Sequence, residues 1–199
     1  MSPAFIVSPL LTRTPLLPSR AVCFPVTRYA LTQKRARALP PPHAAARSFV
    51  TMVAEGAQAP DFEKTDGDGN KVSLSSFRGS RNVVLYFSNG AGPGCTSQSC
   101  SFRDAAEDFA QLDAEIIAVS AQSDTTAFKR ENSLPFSVIP DSQGELRKLY
   151  KVPSTLGLLP GRVTYVIDKQ GIVRSVYNSQ FSTAAHITTA SEALKAIAK

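Results

Sequence analysis

An unbroken run of large apolar side chains at residues 83–87 constrains the fold of this chain most strongly. The run reads Val-Val-Leu-Tyr-Phe, so a strand formed there must be covered on both faces. A glycine-rich loop follows at 88–94, and a helix is predicted from about Cys95, because its apolar residues fall on one stripe: Phe102, Ala105, Ala106, Phe109 and Leu112. A buried strand that leads through a short loop into a helix indicates an α/β fold.

Strands and helices continue to alternate along the rest of the chain, until two consecutive strands precede the last helix. Short apolar segments predict strands at 116–119, 136–139, 164–167 and 172–177. Helices are predicted at 125–132, at 144–151 and from about Thr183 to the C-terminus. The segments 61–64 and 71–74 are predicted to form a short hairpin before the first buried strand, and 168–171 is predicted to be a second hairpin turn. The order predicts a central mixed sheet with helices on both faces.

The net charge of +6 suggests an anionic partner such as nucleic acid, but its distribution argues against one. Residues 1–54 carry seven basic residues and no acidic residue. That leaves 15 of the 22 basic residues and all 16 acidic residues for positions 55–199, a net charge of −1. We therefore expect no nucleic-acid partner for the globular part of the chain. No membrane span is expected either, because the longest uncharged run, 82–102, turns polar at Ser88.

The basic N-terminal segment is also rich in proline, serine and alanine, and it holds eight of the 14 prolines. Such a composition cannot bury enough apolar surface to order itself. It predicts an organelle transit peptide over residues 1–51, with a disordered basic arm as the alternative, and a folded domain over 52–199. The start of the mature chain is expected within 44–52, so Cys23 would be lost with the leader.

Cys95 is the first candidate for chemistry. The loop before it lacks both the Gly-Lys-Ser/Thr ending of a phosphate-binding loop and the glycine spacing of a dinucleotide site. A cysteine in the first turn of a helix meets unpaired N–H groups and the positive end of the helix dipole, which favour a thiolate. A buried, inert cysteine is the alternative.

Cys100 favours the reactive interpretation. Its spacing from Cys95 is not that of a zinc site. Residues 52–199 hold no second cysteine pair, and His186 alone cannot complete a zinc site with the first pair. Residues five apart in a helix are turned by about 140° and lie about 8–9 Å apart between Cα atoms. A disulfide requires less than roughly 7 Å. The pair could therefore bridge only if the first helical turn unwinds, which suits a disulfide that is made and broken in a catalytic cycle.

Three segments carry a family resemblance: Gly94-Cys95-Thr96-x-Gln98-x-Cys100-x-Phe102-Arg103-Asp104; Leu159-Pro160-Gly161-Arg162-x-Thr164-Tyr165-Val166-Ile167-Asp168-Lys169; and Tyr177-Asn178-x-Gln180-Phe181 followed by His186. From about Gly56 to the C-terminus, the chain resembles the peroxiredoxin Q family, the bacterioferritin-comigratory-protein type. The resemblance implies a thioredoxin-like fold with an N-terminal hairpin extension. It also implies a peroxidase that reduces hydrogen peroxide and alkyl hydroperoxides.

The resemblance assigns roles to three residues. Cys95 would be the peroxidatic cysteine, Cys100 the resolving cysteine, and Arg162 the arginine that stabilises the thiolate and the transition state. Without the resemblance, an arginine before a strand is expected to be a solvated surface residue. Thioredoxin or a similar dithiol reductant would reduce the resulting disulfide, and no metal or organic cofactor would be needed. The resemblance also implies a monomer and a plastid location, with the mitochondrion as the alternative. His186 is expected to cap or pack the last helix.

Two positions depart from the family pattern Pro-x3-Thr-x2-Cys. Counting back from Cys95, Gly92 stands at the threonine position and Ser88 at the proline position. Glycine cannot supply the hydroxyl that bonds the thiolate, although Ser88 could supply one from another direction. The departure raises an alternative function, a peroxide-sensing or thiol-regulatory protein of low activity that uses the same cysteine pair.

Overall fold

A computed structural model describes residues 52–90, 92–154 and 159–199. It contains seven strands: β1 (Glu63–Thr65), β2 (Lys71–Ser73), β3 (Asn82–Ser88), β4 (Ala114–Ser120), β5 (Ser137–Pro140), β6 (Val163–Ile167) and β7 (Val173–Asn178). The α-helices are α1 (Pro93–Asp104), α2 (Ala106–Gln111), α3 (Thr126–Glu131), α4 (Glu145–Leu149) and α5 (Thr183–Ile197). A short 3-10 helix spans Leu74–Phe77. The predicted leader and Cys23 lie outside the described residues.

Five strands form one mixed sheet in the order β5-β4-β3-β6-β7. Strand β3 pairs in parallel with β4, and β4 with β5. The pairs β3–β6 and β6–β7 are antiparallel. Strands β1 and β2 form a separate antiparallel hairpin. The predicted mixed sheet and N-terminal hairpin extension are therefore confirmed.

Strand β3 lies at the centre of the sheet, and all seven of its residues are buried. Alternate side chains enter two different cores, as the period of a strand requires. Leu85 and Phe87 face a core shared with the hairpin and α4, whereas Val84 and Tyr86 face one shared with α1, α2, α3 and α5. This explains why the run at 83–87 has no polar break.

The helix that follows β3 differs from the prediction in two ways. It begins at Pro93, two residues before Cys95, because proline fits the first helical position, where its missing N–H is not needed. It also ends at Asp104, since Ala105 has φ −94° and ψ 0° and separates α1 from α2. Phe102 before the break and Phe109 after it lie in the same core, with ring centroids 6.1 Å apart.

No helix in the described ranges combines the length and the apolar character that a bilayer-spanning segment needs.

Candidate active site

Cys95 is the third residue of α1 and lies just beyond the carboxyl end of β3. The first turn of the helix is closed by the Gly92 carbonyl, which accepts hydrogen bonds from the backbone N–H groups of Cys95 (2.8 Å) and Thr96 (3.0 Å). The side chain of Cys95 is buried, with 4% of the residue exposed. A free thiol therefore lies at a helix N-terminus and largely out of water, in the place that the sequence predicted.

Arg162 contacts this thiol directly. Its Nη2 lies 3.2 Å from Cys95 Sγ, and its Nη1 donates to the Gly94 carbonyl at 3.1 Å. The contact follows from the sheet, because Phe87 near the end of β3 pairs with Val163 at the start of β6, and Arg162 immediately precedes Val163. Arg162 is buried, so the expectation of a solvated surface arginine is wrong and the position implied by the resemblance is the one observed.

Cys100 lies on the same uninterrupted helix as Cys95 and is half-buried. Its Sγ lies 3.8 Å from Oδ1 of Asn132, at the end of α3. Both cysteines are free thiols. Because α1 is helical through both positions, their side chains point in directions about 140° apart. Disulfide formation between them requires part of α1 to unwind.

Arg147 is a buried component of this region that sequence reasoning missed. It lies on α4, and its guanidinium donates to the carbonyls of Ser88 and of Gly161, the latter at 2.9 Å. It thereby joins the end of β3 to the residue before Arg162. Asp141 pairs with Arg147 Nε at 3.8 Å. Burial lowers the pKa of Arg147, and the negative charge of Asp141 opposes that effect. No sequence pattern shows that a single arginine in a short predicted helix will be buried and will bridge two distant carbonyls.

The two positions that depart from the family pattern have different environments. Ser88 is buried at the end of β3, and no hydrogen bond joins its hydroxyl to Cys95 Sγ in the described part of the chain. Gly92 is exposed, has φ −68°, and would place an added Cβ more than 4 Å from any neighbouring atom outside its own chain segment. A Cβ at position 92 therefore meets no steric obstacle.

His186 packs the last helix, as predicted. It is fully buried, and its ring meets the Tyr177 ring edge-on with centroids 4.7 Å apart. The Ser179 carbonyl lies 2.9 Å from Nε2, so Nε2 must carry a proton. Nδ1 of the neutral ring then accepts the Thr164 hydroxyl at 2.8 Å. Burial lowers the pKa of His186, and the hydrogen bond to Ser179 partly opposes this shift.

This lowered pKa predicts a loss of stability in mild acid. Between the unfolded value of about 6.5 and the lower folded value, the unfolded chain binds the proton more readily, so the free energy of unfolding decreases as the pH decreases. At pH 5.5 the loss from His186 should be at most about 1.4 kcal/mol. Urea unfolding at pH 7.5 and pH 5.5 measures it. His186→Gln should show a smaller difference between the two pH values, and an equal difference would contradict this assignment.

A thioredoxin-like fold that holds a buried thiol against a guanidinium is typical of thiol-based oxidoreductases. The AhpC/TSA family model matches residues 56–176. A chloroplastic peroxiredoxin Q from Suaeda salsa is 45% identical over 143 residues, which cover 70% of this chain and 67% of that protein. The chloroplastic peroxiredoxin Q of Oryza sativa subsp. japonica is 39% identical over 197 residues, or 93% of this chain and 91% of the relative.

Among solved structures, the crystal structure of the peroxidoxin BcpB from Mycobacterium tuberculosis is similar in both fold and sequence. It has a TM-score of 0.66 and 34% identity, and the match covers 72% of this chain and 97% of that one. The chain belongs to the AhpC/TSA family and, within it, to the peroxiredoxin Q group. This membership supports a peroxidase function, with peroxide substrates and a thiol reductant.

Proposed function

We propose that this protein is a thioredoxin-dependent peroxidase in which Cys95 attacks the peroxide and Cys100 resolves the product. The observation that carries the proposal is the 3.2 Å contact between Arg162 Nη2 and Cys95 Sγ at the N-terminus of α1. A guanidinium in a largely dry site stabilises the thiolate and the negative charge that develops on the leaving oxygen. The charge of −1 on residues 55–199 is compatible with small uncharged substrates such as hydrogen peroxide and alkyl hydroperoxides.

The reaction proceeds in three steps. The Cys95 thiolate attacks one peroxide oxygen, the O–O bond breaks, and the leaving oxygen takes a proton to become water or an alcohol, while Cys95 becomes a sulfenic acid. The Cys100 thiol then displaces the hydroxyl from Cys95, which gives the Cys95–Cys100 disulfide and one water. Thioredoxin, or a similar dithiol, supplies two electrons by exchange and becomes a disulfide itself.

The structure favours unwinding at the start of α1 for the second step. Gly92, Pro93 and Gly94 are exposed, and glycine weakens a helix because it loses more backbone entropy than other residues. The later part of α1 is held more firmly, because Phe102 stacks on Tyr86 at 4.4 Å and the Tyr86 and Ser99 hydroxyls lie 3.0 Å apart. The first turn can therefore open while the rest of α1 stays on the sheet.

Peroxide consumption by the full chain, followed as NADPH oxidation with thioredoxin and thioredoxin reductase, tests this function. Mass spectrometry after one equivalent of peroxide should show a Cys95–Cys100 link within one chain. A Cys95–Cys95 dimer would contradict the resolving role of Cys100. Background turnover by a protein whose Cys95 still oxidises would favour the second candidate, a peroxide-sensing or thiol-regulatory protein. Gly92 favours that candidate because it contributes no hydroxyl to the thiolate.

The Gly92→Thr variant should reduce peroxide at least tenfold faster, since a hydrogen bond to a charged group contributes about 1.5–3 kcal/mol, or about 10- to 150-fold in rate. A Cβ at position 92 meets no atom within 4 Å outside its own chain segment, and we expect the threonine hydroxyl to give Cys95 a second polar contact. A single-turnover, rapid-quench measurement of the rate constant for Cys95 oxidation checks this prediction. Gly92→Val is the matched control, because valine has the shape of threonine without the hydroxyl. An equal gain in both variants, or none in Gly92→Thr, would contradict the prediction.

A plastid is the proposed location. The relatives from Suaeda salsa and Oryza sativa are named chloroplastic, and residues 1–51 have the composition of a transit peptide. A monomer is proposed as well, because both cysteines of the cycle lie on one helix of one chain. Sequencing the N-terminus of the protein from isolated plastids tests the location, with cleavage expected within residues 44–52.

A further inference from the structure

The thiol of Cys100 has a specific partner on another helix. Its Sγ lies 3.8 Å from Asn132 Oδ1, within the range of a hydrogen bond from sulfur. The amide of Asn132 is oriented for this contact, because its Nδ2 donates to the Phe128 carbonyl at 2.8 Å and so leaves Oδ1 facing the thiol. Asn132 is the residue immediately after α3, and its side chain thus joins the end of α3 to the middle of α1.

A second bond strengthens the same junction. Arg103, nearly one turn beyond Cys100 on α1, donates from Nη1 to the Asn132 carbonyl at 2.9 Å. Asn132 is therefore held through its backbone by one residue of α1 while its side chain accepts from another. The position of Oδ1 relative to the Cys100 thiol is set by these three contacts together.

We infer that Asn132 is a positioning residue that holds Cys100 away from Cys95 and thereby sets the rate of disulfide formation. This inference rests on the proposed function. The contact with Asn132 keeps the Cys100 thiol on the α3 side of α1, about 140° around the helix from Cys95. To attack the sulfenic acid, Cys100 must give up its bond to Asn132.

The rate of this release decides between two fates of oxidised Cys95. In one, the Cys100 thiol forms the disulfide and water leaves. In the other, a second peroxide oxidises the sulfenic acid to a sulfinic acid, and the peroxide is reduced to water or an alcohol. A tighter hold on Cys100 lengthens the life of the sulfenic acid. Asn132 thus adjusts the sensitivity of the protein to over-oxidation as well as the rate of its second step.

Two variants separate the thiol contact from the structural role of Asn132. Asn132→Leu removes both the acceptor for Cys100 and the donor to Phe128. Asn132→Asp removes the donor but keeps an oxygen that accepts from the thiol. The chain has no tryptophan, so the kinetics are best followed by rapid quenching, thiol alkylation and mass spectrometry of the full chain.

Asn132→Leu should form the disulfide about two- to ten-fold faster than the wild type, the range expected for losing one neutral hydrogen bond. Its sulfinic acid yield at high peroxide should fall, and Asn132→Asp should not be faster than the wild type. Equal acceleration in both variants, or none in Asn132→Leu, would overturn the role of Asn132. A wild type that forms no Cys95–Cys100 disulfide would instead overturn the proposed resolving step, and this inference with it.

Discussion

Replacing Cys95 with serine should abolish peroxide reduction, whereas replacing Cys100 with serine should leave a single turnover. Serine keeps the size and hydrogen-bonding capacity of cysteine but is not deprotonated at neutral pH, so it cannot attack the O–O bond as a thiolate does. In Cys100→Ser the first step is intact, because Arg162 still contacts Cys95. The cycle then stops at the sulfenic acid, because without Cys100 the intramolecular disulfide that thioredoxin reduces cannot form.

Rapid-quench measurement with excess peroxide distinguishes the two variants. Cys100→Ser should release one equivalent of alcohol or water per chain as the sulfenic acid forms at Cys95, and a second equivalent more slowly as excess peroxide oxidises it to the sulfinic acid. Cys95→Ser should consume no peroxide above the background of the buffer. Cys23 lies in the predicted leader, so Cys23→Ser should behave as the wild type and is the matched control. Sustained turnover by Cys95→Ser would contradict the assignment of the peroxidatic cysteine.

Replacing Arg162 with methionine should lower kcat/KM for peroxide by about 10²–10³, by analogy with the loss of one preorganised donor from an oxyanion hole. The guanidinium contacts Cys95 Sγ through Nη2 and the Gly94 carbonyl through Nη1. It therefore places a positive charge beside the thiol and also helps to orient the first turn of α1. Arg162→Lys should recover only part of the activity, because a single ammonium does not reproduce the planar fork that makes both contacts.

Two measurements check the role of Arg162. Steady-state kinetics give kcat/KM, and rapid quenching gives the rate constant for Cys95 oxidation, which should fall by a similar factor in Arg162→Met. Arg81→Met is a suitable control, since Arg81 is more than half exposed and forms a surface ion pair with Glu115. If Arg162→Met kept both its kcat/KM and its rate constant for Cys95 oxidation, the Arg162–Cys95 contact would have no part in the reaction.

Much of the fold could be predicted because the strongest signals are local. The apolar run at 83–87 became the central strand β3, and the later hairpin became β6 and β7. The break at Ala105 could not be predicted, because residues 102, 105, 106, 109 and 112 fit one helical stripe equally well with or without it. The packing of Phe102 against Phe109 beneath the sheet accompanies the break, and that contact depends on where β3 lies.

The site divides in the same way. Cys95 and Cys100 could be singled out as candidates because helix position and spacing are properties of one short segment, and the resemblance then implied a role for each. The contacts with Arg147 and Asn132 could not, because they join segments 59 and 32 residues apart, respectively, in the chain. Arg162 lies between these cases, since a motif implied its role while composition alone suggested an exposed residue.

The sequence by itself determined the α/β class, the position of Cys95 at a helix N-terminus, the family and the confinement of the net positive charge to residues 1–54. The class, the helix position and the charge distribution follow from periodicity, spacing and composition along the chain, whereas the family rests on its resemblance in three motifs. Only the tertiary structure decided which charges and amides meet the two thiols. Antiparallel pairing of β3 with β6 brings Arg162 to Cys95, and the approach of the end of α3 to α1 brings Asn132 to Cys100. A side chain's partner across the fold depends on how the sheet and helices pack, and no local sequence pattern contains that information.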